Sequence, residues 1–260
     1  MILRRLFFWT SFLVCVFACA RADEVSWDDF FEKSRAQLLE QKPARAAFAL
    51  VVGSRSFSSP RTDEPFEMGE LLQPLTSLLA AKLEQDGAVA WDKPLVTRHA
   101  FFGLAGDEAA KRCTLRDLLG MTAGIPVSAD EVLKKLENPN AQDAFEIIKQ
   151  LKGPPVGAAR VESRVSFLAG AYALLKDPLA KNTPEQFAAL MQTQLLEPLG
   201  ISAKLALSVA SCSLKMSAQD AFSWLYAEAN RGRSVQGKQI VQPSLVLERY
   251  KAVPVKGDQA

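Results

Sequence analysis

Histidine occurs once in the 260 residues, as His99, and cysteine four times. Cys15 and Cys19 lie in an N-terminal apolar stretch, which leaves Cys113 and Cys212 as the thiols of the remaining chain. One imidazole and two thiols make a poor metal-ligand set, so no metal or other cofactor is expected. His99 reads as a satisfied or surface histidine. There is no basic run. Lys and Arg number 31 against 29 Asp and Glu, and without Arg4, Arg5 and Arg21 the two totals differ by one. A chain so balanced gives no ground for a nucleic-acid partner. After Ala22 no apolar run is long enough to span a bilayer, and there is no internal repeat or long linker.

What is present first is an export pattern. Arg4 and Arg5 precede an almost unbroken apolar run from Leu6 to Ala20, with small residues at Ala18, Ala20 and Ala22. Charge, apolar run and A-x-A spacing together predict a signal peptide over residues 1–22 and a periplasmic or secreted domain over 23–260. A buried N-terminal helix is the plain alternative. Val16-Phe17-Ala18-Cys19 resembles a lipobox, with the bulky Phe17 against it, so a lipid anchor at Cys19 is a further alternative. Outside the cytoplasm Cys113 and Cys212 either pair, adding roughly 4 to 5 kcal/mol for so long a loop, or stay as two buried thiols.

The pattern of elements is helix-rich. Ser26 caps a helix with Asp28 and Asp29 in its first turn and Trp27, Phe30, Phe31, Leu38 and Leu39 as its apolar face, ended by Lys42-Pro43. Ala46 to Val52 reads as a buried strand, and Arg55 to Ser58 as its returning partner. Ser59-Pro60 and Asp63 to Pro65 read as loop. Helices follow at Leu75–Gln85, stopped by Asp86-Gly87, at Thr114–Gly120, at Asp130–Leu136, at Ala141–Leu151 and at Phe167–Leu175. Thr183-Pro184-Glu185-Gln186 begins another, which runs to Leu196 and stops before Pro198. Ser217 caps the last, with Asp220 three residues on, covering Phe222 to Ala229.

Phe66 to Pro94 reads FEMGELLQPLTSLLAAKLEQDGAVAWDKP. This stretch resembles the core of the class C β-lactamase, D-alanyl-D-alanine carboxypeptidase and related esterase family. That family shows F-x-x-G-S-x-x-K, a Thr three residues later, then L-x-x-x-G and L-D-x-P. Phe66, Gly69, Thr76, Leu83, Gly87, Asp92 and Pro94 fall in register, with Trp91 at the leucine. Thr114 to Pro126 (TLRDLLGMTAGIP) looks like the family's L-L-x-H-T-S-G-L-P segment, Glu197 to Ile201 like its P-L-G-M turn, and Ser217 to Asp220 like the start of a later helix. The order and spacing of these stretches carry the resemblance. It implies an α+β, three-layer α/β/α β-lactamase-like fold with an antiparallel sheet.

The family hydrolyses amides or esters through an acyl-enzyme, which needs a nucleophile and a base one helical turn apart. Here the serine position is Glu70 and the lysine position Gln73. Gln is neutral and cannot take a proton near pH 7, and acylation of a carboxylate would give a reactive anhydride. Glu70 reads instead as a negative charge favoured at a helix start, and Pro74 places the helix later than in active relatives. At the Tyr-x-Asn motif stand Phe167, Leu168 and Ala169, without hydroxyl or amide, and Tyr172 reads as core. Met121 replaces a frequent histidine and Ala123 a serine. No Lys-Thr-Gly or His-Thr-Gly triplet follows Ser217 before Ala260. The N-terminal hairpin is expected to be present, the C-terminal sheet strands to be missing and the sheet incomplete, which also removes an oxyanion donor. No displaced Ser-x-x-Lys occurs elsewhere.

The expectation is therefore the fold without the usual hydrolysis, in a protein that binds a peptidoglycan fragment, a peptide or another protein. A hydrolase with non-standard residues is the alternative, with Glu70 acting as a general base on water. An open sheet edge, in either case, is a template for self-association.

Overall fold

The computed structural model describes residues 26–40, 49–52, 55–58, 64–67, 72–99, 111–123, 164–177, 183–202 and 214–251. The helices expected at Asp130–Leu136 and Ala141–Leu151 lie outside these residues, as do Glu70, Cys212 and the N-terminal apolar stretch. The chain divides into two units: one holds the first helix and most of the first strand pair, the other the chain from Ser58 onward.

In the first unit, α1 spans Trp27–Glu40, with Asp28 and Asp29 in its first turn. Ser26 caps it as the sequence predicts: its Oγ accepts from the Asp29 amide at 3.3 Å,. Phe31 is buried and Trp27 meets Phe30 edge-on. Leu39 was expected on the apolar face and is instead 47 % exposed. It stands in the last turn, about 100° around the helix from its neighbour, and that rotation leaves it in solvent. Strands β1 (Ala49–Val52) and β2 (Arg55–Ser58) pair with each other. A connection of two residues between them permits only an antiparallel hairpin, which is the expected one.

The second unit is built on α2, Leu72–Gln85. Eight of its 14 residues are buried, among them Leu75, Thr76, Leu78, Leu79 and Ala81, a coverage that only a helix enclosed on most sides attains. It starts earlier than the predicted Leu75, with Pro74 as its third residue. Proline is tolerated there because amides of the first turn have no acceptor within the helix. Gly87, at φ 69°, ends it, with the Ala88 amide returning to the Leu83 carbonyl at 2.8 Å.

A 3-10 turn at Leu95–Thr97 leads on, and α3 spans Leu115–Leu119. α4 (Arg164–Ala173) packs on α3 and begins three residues before the predicted Phe167. The two come close at Gly170, where a Cβ would lie 2.7 Å from the Leu119 side chain and 3.3 Å from Leu118 Cβ. Next to it Ser166 Oγ donates to the Leu118 carbonyl at 2.8 Å.

α5 (Thr183–Met191) continues through a π-helical turn, Gln192–Leu196, which packs on α2, into a last α-turn, Glu197–Leu199. The winding thus passes Pro198, which the sequence reading took as the stop. Pro198 falls in the short α-turn that directly follows the π-helical one. Gly200, left-handed at φ 74°, closes the run.

Pro65–Glu67, whose first residue was expected in loop, is strand β3 and pairs antiparallel with β4, Lys215–Ser217. The register sets Phe66 opposite Met216. α6 (Ala218–Ala229) follows β4 directly, and α7 spans Pro243–Glu248. The described residues are thus helix-rich with two two-stranded pieces of sheet. Their core gathers α2, Trp91, α3, α4, the α5 run, Trp224 and Val246.

Candidate functional site

The motifs that the sequence places far apart meet in pairs. Trp91 and Asp92 lie against α3: the Arg116 guanidinium grips Asp92 through Nε to Oδ1 at 2.6 Å and Nη2 to Oδ2 at 3.1 Å. It lies 5.1 Å from the centre of the Trp91 ring. The Trp91 indole N–H donates to the Ala80 carbonyl of α2 at 3.1 Å. Pro94 bridges to Thr114, and the Leu95 amide donates to the Cys113 carbonyl at 2.9 Å. Thr114 and Asp117 form a reciprocal capping box at the start of α3,. The Asp92 carboxyl is held below its ordinary range, chiefly by the hydrogen bond from Arg116.

A second pair joins the Glu197–Ile201 turn to α6. Ser217 caps α6, its Oγ accepting from the Asp220 amide at 3.0 Å and donating to Asp220 Oδ2 at 2.9 Å. Asp220 Oδ1 accepts from the Ser202 amide at 2.8 Å. Sequence reasoning assigned Asp220 to a helix start; that it also holds the turn 18 residues earlier follows only from the fold.

Of the positions that the resemblance assigns to a reaction, Gln73 sits half-buried in the first turn of α2. Thr76, one turn on, is fully buried and donates to its own helix at the Leu72 carbonyl, 2.8 Å away. Phe167 and Ala169, on α4, are 1 % and 0 % exposed, and Tyr172 is buried beside them. Met121 ends α3 in a left-handed conformation, φ 58°, and packs on the core. A non-glycine residue there carries strain, and the strain is held by the Met121 amide on Leu118 and the Thr122 amide on Asp117. Glu70 lies outside the described residues. A neutral amide, a phenyl ring, a methyl group and a thioether cannot move a proton near pH 7.

Ser77 stands on the same helix, one turn after Gln73. Its hydroxyl donates to the Pro74 carbonyl at 3.2 Å and accepts from Arg249 Nε at 2.7 Å. A nucleophilic serine gives its proton to a base. This one gives it to a backbone carbonyl, which is no base near pH 7, so its hydroxyl has no proton acceptor to activate it. Arg249 is the residue that sequence reasoning missed. It follows α7, a helix too short to leave a periodic signal, and its partners lie 21 to 175 positions away.

His99 is buried, with Nε2 3.1 Å from the Ala173 carbonyl at the end of α4 and 3.1 Å from Arg98 Nε. Burial pushes its pKa down, and Arg98 adds to the effect. Cys113 is a buried free thiol, pushed up to about 12 by burial and then by Asp117. Among the described residues no group of three or more His, Cys, Asp and Glu could hold a metal ion.

The family model described as Beta-lactamase matches residues 35–207, and the chain belongs to that family. Its fold is similar to that of SurE, solved with D-Leu: TM-score 0.62 at 18 % identity, covering 87 % of this chain and 58 % of that one. It is also similar to a class C beta lactamase from Rhodobacter sphaeroides, with TM-score 0.57 at 16 % identity and coverage of 83 % and 68 %. A third likeness is to a D-stereospecific amidohydrolase from Streptomyces sp., with TM-score 0.57 at 14 % identity and coverage of 78 % and 71 %. At such identity the likeness is one of fold. The chain spans 58 % of the length of the first of these. No curated protein matches the sequence.

Proposed function

We propose that the protein is an exported member of the β-lactamase family that binds its ligand without forming an acyl-enzyme. The observation that carries this reading is the burial of Phe167 and Ala169, 1 % and 0 % exposed, at the positions assigned to the proton shuttle and its neighbouring amide. Neither side chain has a polar group, and neither faces solvent. Gln73 at the base position and the engaged hydroxyl of Ser77 point the same way.

The ligand class proposed is a short peptide with a D-amino acid, of the kind a peptidoglycan fragment carries. The support is the D-Leu bound to SurE and the D-stereospecificity of the Streptomyces amidohydrolase, two proteins of like fold. Gln73 is proposed as a polar contact for it, since an amide both donates and accepts. Export rests on the pattern of residues 1–22; no described helix is long and apolar enough to cross a membrane.

The test has two arms. Purified protein is incubated with a fluorescent penicillin and with a fluorophosphonate, and no covalent band is expected. A stem peptide ending in two D-alanines is titrated calorimetrically against its all-L isomer, with binding expected for the D form alone. Stoichiometric labelling would falsify the non-covalent reading, and equal or absent binding of the two peptides removes the ligand class.

A further inference from the structure

We propose that Arg249 is the positioning residue of the first turn of α2, reaching it from the far end of the chain. The segment from Ile240 to Lys251 lies along α2 in the opposite direction. At one end the Gln242 amide donates to Gln85 Oε1 at 2.7 Å, and Gln85 Nε2 reaches the Ile240 carbonyl at 3.5 Å. At the other, Arg249 Nη2 donates to the Pro74 carbonyl at 2.9 Å and Nε to Ser77 Oγ at 2.7 Å. α7 fills the length between, with Val246 buried.

The guanidinium that makes these bonds is itself fixed from behind. Nη1 donates to both oxygens of Glu228, at 3.0 and 2.9 Å, and the two side chains are only 6 % and 11 % exposed. Glu228 is held in turn by the Trp224 indole N–H at 3.0 Å and the Tyr250 hydroxyl at 2.9 Å. The buried charges are therefore matched and their hydrogen bonds filled, the condition under which such a pair is tolerated inside a protein. A planar fork can hold Glu228 with one nitrogen while the other two reach α2. A lysine ammonium is a point charge and cannot span the three partners at once.

The reason α2 needs such a hold lies at its own start. The amides of a first turn have no helical acceptor, so the bonds that hold it must come from outside the helix. The turn carrying Gln73 is thus the least self-supporting part of the helix, and Arg249 and Ser77 both bond at the Pro74 carbonyl. Calling this turn ligand-facing rests on the function proposed above; the clamp itself does not.

The experiment is hydrogen exchange on the full chain without ligand, for the native protein, Arg249→Lys and the charge-neutral double variant Arg249→Met with Glu228→Met. The expected result is about tenfold faster exchange at Thr76, Ser77 and Leu78 in both variants, with Leu79 to Gln85 unchanged. A merely structural ion pair predicts that Arg249→Lys, which keeps the charge, leaves the whole helix as it was. Unchanged exchange at the first turn, or equal acceleration along all of α2, overturns the proposal. Affinity for the D-peptide is measured in parallel, with an expected loss of about tenfold in Arg249→Lys. No binding by any of the proteins would sink the proposed ligand while leaving the exchange result to judge the clamp.

Discussion

Arg116 holds Asp92 through two parallel hydrogen bonds, and the same guanidinium lies over the Trp91 ring. The pair ties the segment after α2 to α3, with Glu248 of α7 a third partner at 3.4 Å. Geometry is good, but the Asp92 side chain is 72 % exposed, and exposed pairs contribute about 0 to 1 kcal/mol.

Replacing Asp92 with Ala is therefore expected to cost at most about 1 kcal/mol in urea unfolding. Arg116→Ala costs more, because its stem and planar group also cover Trp91. The Asp92 carboxyl is depressed in the folded state, so its small contribution is present above the ordinary carboxylate range and is lost as pH falls below it,. Equal losses for the two variants would contradict this account.

His99 predicts a pH dependence of the opposite residue type and the same sign. Its Nε2 can serve either the Ala173 carbonyl or Arg98, and a charged ring would face the Arg98 guanidinium. Its folded pKa is lowered from 6.5, mainly by burial. The unfolded chain then binds the proton more readily, so stability is full above that value and declines as pH drops through 6.5 toward the folded value,. Thermal unfolding from pH 7.5 to 5 should show the decline in the native protein and a flatter profile in His99→Gln; identical profiles would rule the histidine out.

Cys113 should be inert in the native protein, because a thiol pushed up to about 12 holds almost no thiolate at neutral pH,. In a variant with Cys212→Ser and without the N-terminal cysteines, an aromatic disulfide reagent is expected to titrate no thiol until denaturant is added. Rapid reaction under native conditions would mean that Cys113 is reached by solvent.

Two glycines after α6 separate backbone strain from steric clash. Gly232 and Gly237 are both left-handed, at φ 86° and 85°. A Cβ on Gly232 would stand 2.2 Å from the Val241 carbonyl oxygen, whereas one on Gly237 meets nothing within 4 Å. Gly237→Ala should cost about 1 kcal/mol through φ alone. Gly232→Ala must also move backbone and should cost about 3 kcal/mol or more. Similar melting temperatures for the two would show that the loop yields freely.

Restoring the family's polar residue at Ala169 should harm rather than help. The site is fully buried, and Ala169→Asn introduces volume together with an amide that lacks a partner, at about 2 to 4 kcal/mol. No gain of penicillin labelling is expected. A stable variant that acquires labelling would place this position at an open site.

The sequence by itself determined what local chemistry controls. Ser26, Thr114 and Ser217 cap helices as their types require, and Gly87 stops α2 where an apolar period ends. It also determined the family, since ordered short motifs survive where overall identity does not, and the residue types at Gln73, Phe167 and Ala169. Only the tertiary structure decided that Pro65–Glu67 is a strand, because its partner lies about 150 residues on. It likewise decided that Pro74 and Pro198 lie within helical segments; at Pro74 a first turn forgives a missing N–H,. Arg249 at the start of α2 is the plainest case: a buried guanidinium is defined by partners that no spacing along the chain announces, and only folding brings Glu228, Ser77 and Pro74 to it.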